Sequence, residues 1–309
     1  MANKQNHISA IKCLTESNSR FGKVMNLIIS DYKLLKLEEA IEKFISASEE
    51  YKIEKAYSKQ IECLIKIDEI YDKKFIITTE RLDKKFQATN LKILIDVMLK
   101  ENKKNILISQ NINFIPYDVM LYIKKYISTS EETADDEHLI KSIDYILKLY
   151  ENIDDDKIIE FLIELYEKQF DLTQKYDEKY GDLFVKNKNY IKAAEIYESI
   201  GKLKAESSTL RFGSAKLFLK SICCYILSDD DVNAQRKFDE IELSYPIIHS
   251  DRDFKLSKNI IELYQERDVE TFTNIMVEYD SISKISDFHV NLFNLIKKKM
   301  TEVDELDLC

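Results

Sequence analysis

The groups in this 309-residue chain that could do chemistry are four histidines, five cysteines and two runs of three aspartates. His7, His138, His249 and His289 are scattered, and no two have the helical spacing that offers a pair of imidazoles to one metal ion. Asp229, Asp231, Asn233 and Glu240 fall at positions one, three, five and twelve of a calcium loop. Its sixth position needs glycine and here carries Ala234, and Arg236 and Lys237 would sit among the ligands. Capping of a helix start by acids is the better reading of that run, and of Asp154-Asp155-Asp156. The same two runs superficially offer the Asp-rich motifs of a helical prenyl-type synthase, but their flanks lack aspartates spaced over several helical turns.

Cys13, Cys63, Cys223, Cys224 and Cys309 include no C-x-x-C pair, so they read as free core thiols in a reducing compartment. Gly22, Gly181, Gly201 and Gly213 lie too far apart to build a phosphate-cradling loop. Neither an enzyme nor a metal or cofactor site is therefore expected.

The elements around these groups read as helices. Only four glycines and two prolines (Pro116 and Pro246) occur, too few for the turns of a sheet protein. Ala40, Phe44, Ala47 and Tyr51 recur on one helical face from about Leu37, and a partner helix follows through Tyr57, Ile61, Leu64, Ile65 and Tyr71. Small residues that let two helices approach, with an aromatic beside them, are typical of tetratricopeptide-like hairpins. Less distinctive amphipathic seams occupy residues 72–170. From Asn189 the signal returns. Tyr190, Ala193, Ala194, Tyr197 and Ile200 share a face, with Gly201 expected as a helix stop. A long helix is expected over 206–228, with Phe212 among its apolar residues, and a Ser250/Asp253 capping box after Pro246. Phe288, Leu292, Leu295, Ile296 and Met300 form the last seam. Roughly fourteen helices and no strand are expected.

The formal net charge of −10 disfavours nucleic acid as a partner. Lys175, Lys179, Lys186, Lys188 and Lys192 nevertheless stand out, and read either as a solvated face or as a local basic track that meets an acidic partner; the spacing of Lys175 and Lys179 puts them one helical turn apart. The polar N-terminus does not read as a signal peptide, and no apolar run approaches the ~18–20 residues that span a bilayer.

NYIKAAEIYESIG (189–201), a helix ending SICCYI, then SDRDFKL, IIELYQERDV and EYDSIS follow one another in the C-terminal third, which closes on an Asp-Leu pair. In order and spacing this resembles the alpha-type soluble NSF attachment proteins (alpha-SNAP), specifically over about 187–309. KLEEAIEKFISASEEY supports the likeness within 21–71. The resemblance implies an all-α fold: tetratricopeptide-like stacked helical hairpins forming a twisted array, with a C-terminal helical bundle. The expected divisions are an N-terminal array over 1–186, a bundle over 187–300 and an acidic tail over 301–309.

It also implies a function: an adaptor, cytoplasmic and peripherally membrane-associated, that couples an NSF-type hexameric ATPase to SNARE four-helix bundles for disassembly. The residues implied for SNARE contact are Lys175, Lys179 and Arg211. Those implied for the ATPase are Glu262, Glu266, Asp229, Asp230 and the penultimate Leu308, with Gln265 standing at a third position of the acidic patch. An apolar loop at 21–29, carrying Phe21, Val24, Met25, Leu27, Ile28 and Ile29, is implied for weak contact with a membrane surface, although the residues by themselves read equally as a core-packing segment. The competing reading from another class is a general helical-repeat scaffold for peptides or coat components, which needs neither the loop nor Leu308.

Overall fold

A computed structural model describes residues 9, 11–13, 30–78, 81–109, 117–150 and 155–306. The loop at 21–29 and Leu308 lie outside them. Helices joined by short links make up the described residues, without a strand. The chain divides into two compact units, Met1–Leu149 and Tyr150–Cys309, a different place from the 186/187 division read from the sequence.

The first unit holds α1 (Ser30–Ile53), α2 (Tyr57–Thr78), α3 (Arg81–Ser109), α4 (Tyr117–Glu132) and α5 (Asp136–Leu149), each packed on the next. Ala40, Phe44 and Ala47 of α1 have no exposed surface, as the spacing predicts. A buried polar network then fixes the stacking. Lys125 of α4 reaches Asp68 at 2.6 Å and Asp72 at 2.7 Å on α2, while Gln87 of α3 donates to both carboxylates. Burial alone would raise the Asp72 carboxyl, but the bonds from Lys125 and Gln87 outweigh it and hold the group below its ordinary value.

The second unit holds α6 (Asp156–Thr173), α7 (Glu178–Lys186), α8 (Tyr190–Glu206), α9 (Ser214–Leu227), α10 (Asp231–Ser244), α11 (Arg252–Glu266), α12 (Val269–Ile282) and α13 (Asp287–Leu306). Helices α6 and α7 pack in series onto α8, so they join this unit. All residues of α9 except Lys216 are buried, against α8, α10, α11 and α13. A helix apolar on every side is stable only when enclosed, and the others are arranged around it.

Local rules account for most helix starts. Asp155, Asp177, Asp230, Asp251 and Asp268 each accept a backbone N–H as N-caps. Asp251 therefore takes the role expected of Ser250. The Asp229–Glu240 run is a cap and a helix, not a calcium loop.

Helix ends differ from expectation. Gly201 lies inside α8, where a Cβ would stand 2.7 Å from the Phe218 ring, so it serves the close approach of α8 and α9. The helix expected over 206–228 is two pieces, because the chain leaves α8 at Glu206, makes a 3-10 turn at Arg211–Gly213 and enters α9 at Ser214. The acidic tail expected from 301 begins as α13, which continues to Leu306.

Four helix stops share one geometry. Lys55, Lys188, Asp229 and Arg267 have φ between 55° and 63°. At each, that residue's N–H bonds the carbonyl three residues back, and the next N–H reaches back five, for example Lys188 to Val185 and Asn189 to Phe184. These are Schellman stops built without glycine. A side chain in the left-handed region carries a conformational cost that glycine lacks. Lys188→Gly should raise unfolding stability by up to about 1 kcal/mol in a urea titration, with the helix content unchanged.

Candidate partner-binding surfaces

The second unit has two dissimilar ends, set by the alternation of α8 to α13 across short links. One end collects the start of α7, the end of α8, the 3-10 turn and the start of α11. The other collects the α9–α10 corner and the ends of α11 and α13.

At the first end, Lys175 and Lys179 are both exposed. They are not one turn apart on a helix. Gln174, in the left-handed region at φ 55°, ends α6, so Lys175 lies in the link and Lys179 in the first turn of α7. Arg211 is half-buried in the 3-10 turn, its guanidinium 5.4 Å from the centroid of the Phe212 ring. Phe212, expected in the core, is 78% exposed, beside Leu210 and Leu203, which are also exposed. An exposed aromatic stacked on arginine is the signal that helical periodicity hid, because the residue falls just before the helix it was read into.

Beneath this end lies the most connected buried cation of the unit. Lys220 of α9, 3% exposed, bonds Glu178 at 2.9 Å and Asp182 at 2.8 Å on α7. Its ammonium faces the rings of Phe288, 4.0 Å from the centroid, and Tyr197 at 5.0 Å. The Tyr197 hydroxyl donates to Asp182. Burial raises the Glu178 carboxyl, but the bond to Lys220 and the charges of Lys220, Lys204 and Lys216 outweigh it and leave the group below its ordinary value. Helix α7, and with it Lys179, is held by this cluster.

At the other end, Glu262 and Glu266 lie one turn apart on the exposed face of α11, beside exposed Gln265. Lys258 approaches Glu262 only to 4.0 Å. Asp229 and Asp230 have local work as well. Asp230 caps α10. Asp229 pairs at 2.5 Å with Lys299 of α13, which also donates to the Leu227 carbonyl at 2.8 Å and so caps α9. The carboxylate of Asp229 remains largely exposed.

None of the described histidines, cysteines or acids gathers in a group of three or more that would hold a metal ion. No described helix is long and apolar enough to cross a membrane.

A family model described as Soluble NSF attachment protein, SNAP matches residues 164–301, which span both ends of the unit. Alpha-soluble NSF attachment protein of Mus musculus is 32% identical over 119 residues, 38% of this chain and 40% of the relative. Beta-soluble NSF attachment protein of Bos taurus is 30% identical over 111 residues, 36% of this chain and 37% of the relative. Over the matched stretch the chain is therefore similar to the soluble NSF attachment proteins. Vesicular-fusion protein SEC17 of Komagataella phaffii is 26% identical over 118 residues, with the same partial coverage of 38% and 40%. The chain spans about 40% of the length of the alpha-SNAP relatives it matches. The all-α fold of stacked hairpins agrees with the family.

His289 makes this unit sensitive to acid. It is 4% exposed, and Ser286 Oγ lies 2.7 Å from its Nδ1. Burial, with the charges of Lys220 and Lys216, pushes its pKa down from 6.5 to about 4. The unfolded chain takes up a proton in that interval which the folded chain refuses, so stability is full above about pH 6.5 and falls as pH drops towards 4. Urea titrations at pH 7 and pH 4.5 should differ by about 2 kcal/mol more in the native protein than in His289→Gln.

Proposed function

We propose that this chain is a non-catalytic adaptor of the alpha-SNAP kind, which binds SNARE four-helix bundles and recruits and stimulates an NSF-type hexameric ATPase that disassembles them. The observation that carries this reading is the separation of surfaces within the stretch that matches the family. Lys175, Lys179, Arg211 and the exposed Phe212 occupy one end of the unit, and Glu262, Glu266 and Asp229 occupy the other, where the α7–α8 corner also carries the exposed Lys186, Lys188 and Lys192. A rod with an acidic surface suits the first, through screened contacts that tolerate many sequences and release easily. A basic domain of the ATPase suits the second, where long-range attraction speeds encounter. In this reading the chain works in the cytoplasm, and the apolar residues 21–29 add weak, reversible contact with the membrane surface.

The test is retention of the chain and its own ATPase on immobilised SNARE complex. Lys175→Glu with Lys179→Glu should weaken SNARE retention several-fold, more at low salt than at high salt, while helix content stays the same. Unaltered retention across salt would retire the basic end as the SNARE contact. Failure of the native chain to be retained at all would favour the general helical-repeat scaffold.

Leu308 has a separate role in this proposal. A small apolar contact made only when the C-terminal end docks would bias the ATPase towards its active state. Leu308→Ala should leave binding to SNARE complex and ATPase nearly intact and reduce stimulated ATP hydrolysis at least several-fold. Full stimulation at matched occupancy would remove Leu308 from the mechanism.

A further inference from the structure

Cys13 differs from the other described cysteines. All four described cysteines are buried, and burial pushes the thiols of Cys63, Cys223 and Cys224 up, that of Cys63 to about 11; what sets Cys13 apart is its partner. Cys13 is 5% exposed and receives a hydrogen bond from a lysine, with Lys43 Nζ 3.1 Å from its Sγ. The two residues are 30 positions apart, and Lys43 belongs to α1. The amine does not sweep through solvent. Glu39 Oε1, one turn earlier on α1, holds it at 2.6 Å. The Lys43 side chain is 29% exposed, which gives a small oxidant a route to the pair.

We propose that Cys13 and Lys43 are a peroxide-responsive clasp, in which oxidation joins Sγ to Nζ through a single oxygen atom. Lys43 holds its amine 3.1 Å from the sulfur that peroxide attacks, so the first oxidation product forms beside the nitrogen it is to join. In the first step the sulfur lone pair attacks one oxygen of hydrogen peroxide. The O–O bond breaks, the departing hydroxide takes up the thiol proton to become water, and Cys13 becomes a sulfenic acid. In the second step Lys43 gives its ammonium proton to solvent, and a second peroxide oxidises the pair. A bond forms between Nζ and the sulfenic oxygen, each of these atoms loses one hydrogen, and the peroxide is reduced to two waters. In total two peroxides are consumed and three waters leave, starting from thiol and neutral amine.

An S–O–N link holds its end atoms slightly closer than they stand now, so side-chain adjustment closes it and the backbone of α1 stays in place. The product ties residue 13 covalently to α1, to which a hydrogen bond ties it in the reduced chain. This inference does not depend on the adaptor reading.

The experiment is mass spectrometry of the full chain after hydrogen peroxide treatment, followed by tryptic mapping. The expected product is a gain of about 14 Da, one oxygen added and two hydrogens lost, reversed by a phosphine reductant. The peptide containing Cys13 should be joined to one in which trypsin has not cut after Lys43. Lys43→Arg keeps a cation beside Cys13 and Glu39 but should give only sulfenic acid at Cys13, a gain of about 16 Da that dimedone traps. Cys13→Ser should abolish both products at this site. Sulfenic or higher oxidation of Cys13 in the native chain with the Lys43 peptide free would overturn the proposal, and so would a Cys13 that peroxide leaves unmodified.

Discussion

The second unit depends on enclosing one helix and on neutralising the single cation carried into that enclosure. Helix α9 is buried on all its faces, so its neighbours are placed by the requirement that none of its apolar surface meets water. Lys220 would make that burial unfavourable if it stood alone. Two carboxylates from α7 and two aromatic faces, one from α8 and one from α13, receive it instead. The same contacts fix three helices relative to the fourth. Burial of a charge is therefore turned into register, and the basic end of the unit inherits its position from that register. The first unit uses the same device at Lys125, whose two aspartates lie on a different helix and are bridged by Gln87 from a third.

Much of the helical framework was legible because burial imposes a period. Ala40, Phe44 and Ala47 announced their face, and the two aspartate runs announced helix starts, since a side chain that accepts backbone N–H groups has few equivalents. Helix ends were not legible. The stops at Lys55, Lys188, Asp229 and Arg267 are written in hydrogen bonds and dihedral angles, and residue type gives them no mark. The one glycine that looked like a stop, Gly201, is instead a contact point for Phe218.

The candidate surfaces suffered from the same blindness to boundaries. Lys175 and Lys179 have helical spacing, yet a chain reversal at Gln174 falls between α6 and α7, and the spacing is accidental. Phe212 has helical spacing with the apolar residues of α9 but precedes the first turn, so its ring points to solvent. Acids at the other end were easier to read for charge than for duty. Asp230 caps its own helix, and Asp229 engages Lys299, a partner far away in sequence.

The bridge made by Lys299 has a mechanical meaning. Helices α9 and α13 run in the same direction, since His289 lies near Lys216 and Lys220 while Lys299 reaches the carbonyl of Leu227. Tension drawn along α13 towards its C-terminal end therefore loads the interface in shear, where the bond to α9, the ion pair to Asp229 and the packing of Leu292, Ile296 and Met300 must yield together. Contacts strained in parallel share the load, whereas contacts peeled from one end fail in succession. The last helix is anchored to the most deeply buried element of its unit, so a tug on it is borne by the core before any outer helix is displaced.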